Sequence, residues 1–173
     1  MPEGKRGGRL NEEMIIRAIG RIHSPFKEAA GTPVQSPMAD RVRGAAELFP
    51  EYADGLRDLE GFERIRLLYW FDQAAPARLT VRPFLHDAEH GIFATRAPCR
   101  PNPIGISCVR LLEIKGNFLE VDGVDVLDNT PLLDIEPYSP RFDVFEVTRS
   151  GWLDQAKPGS RVADDRFSPP RKE

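Results

Sequence analysis

Residues 106–121 read ISCVRLLEIKGNFLEV: an aliphatic run from Ile106 to Ile114, a Lys115-Gly116-Asn117 turn, and a second apolar run from Phe118 to Val121. Two such runs joined by a glycine-containing turn predict an antiparallel hairpin. Upstream, Glu63 to Phe71 (ERIRLLYWF) starts as alternation and becomes continuously apolar, the pattern of a strand entering a buried sheet. Met14 to Ile22 is β-branched and stops at Ser24-Pro25, where proline removes a ladder donor. Leu79 to Phe84, Gly91 to Thr95, Val124 to Leu127 and Leu132 to Ile135 read as further short strands.

Helix signals are few. Leu48 to Leu59 holds room for one short helix, with Pro50 confined to its first turn and Gly55 weakening its middle. Glu28 to Arg43 carries two prolines and a glycine among few apolar residues, and reads as a long loop of the kind that carries function. Closely spaced short strands with little helix between them predict a mainly β chain forming one small barrel or curled antiparallel sheet. The expected organisation is a flexible extension over 1–13, a barrel domain over 14–155 and a polar tail over 156–173 that frays.

Composition narrows the function. The chain has 173 residues, the size of one ordinary domain, and its 24 Lys plus Arg against 27 Asp plus Glu give a net charge of -3. A general nucleic-acid coat is excluded on that balance, and an RNA partner would need a local basic patch. No stretch nears the roughly 18 apolar residues of a membrane helix, and no apolar signal core follows the first residues, so a cytoplasmic location is expected. Cys99 and Cys108 make no zinc site by themselves and are expected as free thiols.

Three motifs bear on chemistry. His86-Asp87-Ala88-Glu89-His90 matches the H-x-x-E-H spacing of zinc peptidases, but Pro83 before it and Gly91 after it leave about one helical turn. A charged turn is the better reading. No glycine-rich loop of the Rossmann or P-loop type is present. The segment Phe93 to Gly105, FATRAPCRPNPIG, sets Arg96, Arg100 and Asn102 among three prolines, which fix φ and preorganise the loop. Arginine forks suit a carboxylate or phosphate and asparagine suits an adenine edge or hydroxyl, although a rigid corner with arginines paired to surface acids fits the composition equally well. In Val121 to Tyr138, VDGVDVLDNTPLLDIEPY, the aspartates 122, 125, 128 and 134 fall on both strand faces, and Asp128 opens a turn ending at Pro131.

Those residues, in order, resemble the TsaA-like (TrmO, YaeB-like) S-adenosylmethionine-dependent tRNA methyltransferases. The resemblance runs from about 19 to 140. It begins at Ile19-Gly20-Arg21-Ile22-His23-Ser24-Pro25-Phe26-Lys27, passes through Val42-Arg43-Gly44 and Thr80-Val81-Arg82-Pro83, and culminates in Phe93-Ala94-Thr95-Arg96, Arg100-Pro101-Asn102-Pro103-Ile104-Gly105 and Asp128-Asn129-Thr130-Pro131. It implies a non-Rossmann β-barrel methyltransferase without metal, usually a homodimer. The implied cofactor is S-adenosyl-L-methionine, bound near the subunit contact, and the implied substrate is threonylcarbamoyl-adenosine beside a tRNA anticodon, methylated at N6.

Carried over position by position, the resemblance implies cofactor contacts from Pro33, Gln35, Asp72, Gln73, Arg96, Ile106, Val124 and Asp125. Here Val34 stands where relatives often have arginine, and Asp72 where they often have histidine. The chain also closes soon after Gly151-Trp152-Leu153, where many bacterial relatives continue into a further tRNA-gripping domain. For the chemistry, Asp128 or Asp134 is expected to take the N6 proton, Arg100 to polarise the neighbouring carbonyl, and Asn102 and Tyr138 to orient the adenosine. A noncatalytic S-adenosylmethionine or nucleotide sensor and an RNA-binding barrel are the rival readings.

Overall fold

The computed structural model describes residues 14–39, 41–156, 159 and 161–169. The extension expected over 1–13 lies outside them, as do residues 157, 158, 160 and 170–173 of the expected tail. Six antiparallel strands close a barrel in the order β1-β2-β7-β6-β3-β8 and back to β1. They are β1 (Gly20–His23), β2 (Arg43–Leu48), β3 (Arg64–Trp70), β6 (Ile104–Lys115), β7 (Phe118–Asp122) and β8 (Thr130–Pro137). A separate two-stranded ribbon pairs β4 (Thr80–Val81) with β5 (His90–Gly91). The one α-helix among the described residues is the single turn α1 (Pro140–Asp143).

Strict period-2 alternation builds the interior. Ile65, Leu67 and Tyr69 of β3, Val109 of β6, Leu119 and Val121 of β7, Leu132 of β8, and Ile22, Ala46 and Leu48 of β1 and β2 bury their side chains in one cluster. β6 and β7 form the hairpin read from the sequence, turning through Gly116 at φ 63°.

Several sequence expectations need correction. The strand expected over 14–22 is regular only from Gly20: Ile19 still donates its amide to the Leu132 carbonyl and accepts from the Phe49 amide, both at 2.8 Å, whereas Met14 and Ile15 are exposed. The loop expected up to Arg43 gives way there to β2, and the expected helix over 48–59 is two 3-10 turns, Pro50–Leu56 and Leu59–Gly61. Pro50 starts the first turn, and Asp58 at φ 67° separates the two. Leu56 from that segment is buried in the barrel core. Val124 to Leu127 is not a strand: Gly123 at φ 94° turns the chain off β7, and Val124 and Val126 enter the core from a loop. The strand expected over 91–95 is a 3-10 turn, Ile92–Ala94, held by the Thr95 hydroxyl donating to the Ile92 carbonyl at 2.9 Å. Nor does the C-terminal segment fray over 161–168: Pro33 bridges Val162, and Phe167 is buried.

The strand order fixes where the long connections fall. β1, β3 and β7 end, and β2, β6 and β8 begin, at one mouth of the barrel, since His23 pairs with Ala45, Arg43 with Asp122, Trp70 with Ile104 and Ile22 with Thr130. Loops 24–42, 71–103 and 123–129 therefore all emerge at that mouth. The opposite mouth carries the 49–63 segment, the hairpin turn and the exit from β8.

Gly20 is where closure is tightest: a Cβ there would lie 2.1 Å from the Glu47 carbonyl oxygen and 2.8 Å from the Leu48 Cα, both backbone atoms. Gly20→Ala is expected to destabilise the fold by at least about 2 kcal/mol. Urea denaturation should show a lowered midpoint, and an unchanged midpoint would mean that β1 can shift without loss.

Candidate functional site

At the mouth where the three long loops meet, a chain of polar groups runs out of the barrel interior. The Tyr69 hydroxyl lies 2.9 Å from Ser107 Oγ, and Ser107 Oγ donates to Asp125 Oδ1 at 2.5 Å. Tyr69 and Ser107 occupy inward positions of β3 and β6, where the alternation otherwise places aliphatic residues. Asp125 hangs from the 123–129 loop, also receives a backbone hydrogen bond from Ser36, and has the Arg96 guanidinium nearby. Arg96 in turn donates from Nη1 to Gln35 Oε1 at 2.6 Å. One residue from each long loop, Gln35, Arg96 and Asp125, thus meets the others at the barrel mouth.

The final glycine of the RPNPIG segment has a physical reason in this chain. A Cβ on Gly105 would fall 2.3 Å from Tyr69 Cε2 and 2.7 Å from Phe71 Cε2. The bare Gly105 backbone lets the Tyr69 ring lie across β6, with Phe71 edge-on at 5.1 Å, so that its hydroxyl reaches Ser107.

Burial decides the charge behaviour of this chain. Desolvation pushes the Asp125 carboxyl up to about 6, against the lowering effects of Ser107, the backbone and Arg96. Burial also raises the Tyr69 phenol, reinforced by the Asp125 charge, so Tyr69 stays protonated and acts as a hydroxyl. A half-buried carboxylate beside an exposed guanidinium and a primary amide offers an acceptor for a cation and donors for an anion in one small space.

The other implied cofactor positions are partly gathered here. Pro33 is buried two residues before Gln35. Ile106 is half-exposed beside Ser107. Val124 points into the barrel core and its amide bonds Val42, so only its carbonyl is left for a ligand. Asp72 and Gln73 are exposed on the 71–103 loop directly after β3.

The expected catalytic set is not assembled within one chain. Arg100 and Asn102 share the loop of Arg96, but Arg100 spends Nη1 on the Ile92 and Thr95 carbonyls, at 3.3 and 2.9 Å, and so braces the loop. The Asn102 side chain is exposed and makes no hydrogen bond among the described residues. Asp128 sits at the correct mouth but is saturated: Lys27 Nζ lies 2.5 Å from Oδ2, the Ser24 backbone amide donates to Oδ1 at 3.0 Å, and Asn129 Nδ2 donates to Oδ2 at 3.0 Å. The Lys27 hydrogen bond, foremost, holds its carboxyl below the usual range, which makes it a poor proton acceptor. Asp134 pairs opposite Leu68 on the outside of β8, bordering a groove of Ile19, Leu48, Tyr52 and Phe62. Tyr138 donates its amide to the Arg64 carbonyl at the far end of β3. Six strand steps separate Arg64 from Trp70, about 20 Å. Asp134 and Tyr138 therefore do not join the cluster in a single chain.

The peptidase-like spacing is no helix. His86 lies in irregular backbone and His90 in a short strand, with Nδ1 of the first 2.9 Å from Nε2 of the second. Cys99 and Cys108 are free thiols. Sequence reasoning missed Tyr69, Ser107 and Ser36; the available signal was a hydroxyl at two inward positions of otherwise apolar strands.

Native Asp125 keeps its proton to about 6, whereas an ordinary aspartate releases it near 3.8, so the folded state binds more protons between those values. The stability that Asp125 contributes relative to Asp125→Asn is therefore expected to fall as pH rises from about 4 to about 6. Thermal melts of both proteins across that window measure it, and a constant difference would contradict the burial assigned to the carboxyl.

The sequence profile of the tRNA-methyltransferase O N-terminal domain matches residues 21–144. A protein of Pyrococcus abyssi named "Probable S-adenosyl-L-methionine-binding protein" is 55% identical over 142 residues, covering 82% of this chain and 77% of its own length. The tRNA (adenine(37)-N6)-methyltransferase of Escherichia coli K12 is 39% identical over 132 residues, covering 70% of this chain, which spans 56% of that protein. The crystal structure of TrmO from Pseudomonas aeruginosa superposes with a TM-score of 0.72 at 37% identity, covering 87% of this chain and 66% of the crystal chain.

Proposed function

The chain belongs to the tRNA-methyltransferase O family, and from that premise we propose that it is an S-adenosyl-L-methionine-dependent methyltransferase acting on the N6 nitrogen of threonylcarbamoyl-adenosine next to a tRNA anticodon. The observation that carries the reading is the convergence of Gln35, Arg96 and Asp125 at the barrel mouth. The donor set fits the cofactor. Its methionine end presents an ammonium, a carboxylate and a sulfonium, and the cluster offers a carboxylate, a guanidinium and an amide at one barrel mouth. The names of the Pyrococcus and Escherichia relatives point the same way.

When bound, the cofactor supplies an electrophilic methyl group. The protein's part is to hold the acceptor in line with it and to keep water out. Arg96 is placed to receive the cofactor carboxylate, with Gln35 fixing the plane of its fork. Asp125 faces the cationic side, and a positive charge brought beside it favours its ionised form. Asn102, whose exposed side-chain amide has no hydrogen-bond partner among the described residues, is the residue on this loop suited to read the adenosine. The reading includes a homodimer: Leu79 and Phe93, 70% and 76% exposed, leave apolar surface uncovered on the loop that carries Arg96. A second copy there would shield the pocket, and light scattering of the purified protein should give twice the chain mass.

Calorimetric titration with S-adenosylmethionine and its demethylated product, after removal of copurifying cofactor, tests the first step. Saturable binding by both is expected, with Arg96→Ala weakened about 10- to 100-fold through loss of a charged hydrogen bond. Methyl incorporation into tRNA that carries threonylcarbamoyl-adenosine tests the second. Binding without incorporation would leave a cofactor sensor, and no binding would leave an RNA-binding barrel.

A further inference from the structure

The segment 161–167 follows the part of the chain that matches the family and has no place in the barrel sheet. It nevertheless touches two of the three loops that carry the candidate pocket, 24–42 and 71–103. On the first loop, the Gly31 amide donates to the Ala163 carbonyl at 2.9 Å, the Ala163 amide to the Thr32 carbonyl at 2.7 Å, and the Val34 amide to the Arg161 carbonyl at 3.0 Å. These bonds form an antiparallel bridge centred on Pro33 and Val162, ending one residue short of Gln35. On the second, the Ala75 amide donates to the Phe167 carbonyl at 3.0 Å, two residues beyond Gln73.

The Phe167 ring supplies the third tie. It is 7% exposed and fills a small cluster with Ala75, Val81, Ile92, Ala97 and Cys99. Phe84 meets it edge-on at 5.1 Å. Ala97 directly follows Arg96, and Ile92 accepts a hydrogen bond from Arg100. The turn that delivers Phe167 is itself locked: Arg166 grips the Asp164 carboxylate from Nε and Nη2, at 2.9 and 2.7 Å, and its guanidinium lies 4.8 Å over Phe84 while Nη1 donates to the Pro83 carbonyl at 3.0 Å.

We propose that residues 161–167 act as a strap that sets the relative positions of Gln35, Asp72-Gln73 and Arg96, with Phe167 the positioning residue at its end. The inference rests on the cofactor pocket proposed above. These loops have almost no regular structure of their own near the pocket: a three-residue 3-10 turn (Ser36–Met38) in the first, and a two-stranded ribbon with another such turn in the second. Loop atoms lacking such bracing spread over more than the half-ångström tolerance that ligand recognition needs, so an external brace raises affinity by preorganisation. The barrel core contains no strap residue, which separates the brace from the fold.

The test uses the full chain carrying Phe167→Ala, with Phe167→Leu as the conservative rescue and Ala163→Pro as an independent variant that removes the donor to Thr32 without touching the ring cluster. For wild type and variants, the dissociation constant for S-adenosylmethionine and the KM and kcat of tRNA methylation are measured beside far-ultraviolet circular dichroism. Phe167→Ala and Ala163→Pro are expected to keep the barrel spectrum, to weaken cofactor affinity about tenfold with a matching rise in cofactor KM, and to retain kcat at saturating cofactor, with Phe167→Leu recovering most of the affinity. Affinity within twofold of wild type in both variants, or a loss confined to kcat through a smaller folded fraction, would overturn the strap while leaving the cofactor pocket standing. Wild-type protein that fails to bind the cofactor would overturn the pocket itself, and the strap with it.

Discussion

The molecule depends on the pairing of a four-residue strand with neighbours on both sides. β1 bonds β2 along one edge and β8 along the other, and without it the remaining five strands would be an open sheet with two raw edges. A segment this short closes a cylinder only if the backbones approach tightly, which is why its first residue is Gly20, set against the Glu47 carbonyl. Closure also determines the chemistry. Once β1, β3 and β7 are constrained to end at one mouth, the loops 24–42, 71–103 and 123–129 have nowhere else to go, and their polar residues converge with no more than single 3-10 turns and a two-stranded ribbon to carry them.

The convergence becomes a site because a line of hydroxyls is built into the wall beneath it. Tyr69 and Ser107 are costly residues to place inside an apolar barrel, and they are tolerated because each satisfies the next and the last satisfies Asp125. A carboxyl held from below in this way has little rotational freedom, and burial leaves it poised near neutrality, ready to respond to a charge placed beside it. Gly105 belongs to the same device. The motif residue that looks like a loop terminator is the gap through which the Tyr69 ring passes.

Much of this was legible in the sequence where periodicity was strong. The β6–β7 hairpin and β3 follow directly from alternation and a glycine turn, and the non-Rossmann character follows from the missing glycine loop. β2 was not legible, because Gly44, Ala45 and Ala46 are small residues of low strand propensity whose role is to let β1 come close. Asp128 looked like a catalytic acid or base because sequence shows a carboxylate and not its neighbours; Lys27 and Ser24, a hundred or so positions away, turn it into a structural anchor for the loop after β1. Asp134 and Tyr138 were attractive for the same reason; the strand alternation turns Asp134 to the outside of β8, and the strand direction carries Tyr138 to the far mouth. Arg96 and Asp125 could be named from resemblance, but the hydroxyl line that links Asp125 to the barrel depends on which face of each strand looks inward.

Two separate apolar clusters complete the logic. One fills the barrel and involves every strand of the cylinder; the other lies under the loops, where Phe167 packs against Ala75, Ile92 and Ala97. A single continuous core would couple pocket geometry to global stability, so any change in the loops would tax the fold. With two cores, the barrel supplies the stability and the satellite cluster supplies loop geometry, and the loops can be retuned at modest cost to the cylinder. The carbonyl and amide ties from 161–167 suit that division, because backbone bonds impose position on the Gly31–Val34 segment whatever side chains it carries. The side chain at position 34 can therefore vary without disturbing the bridge beside it, since the bridge is made by the Val34 amide and not by its side chain.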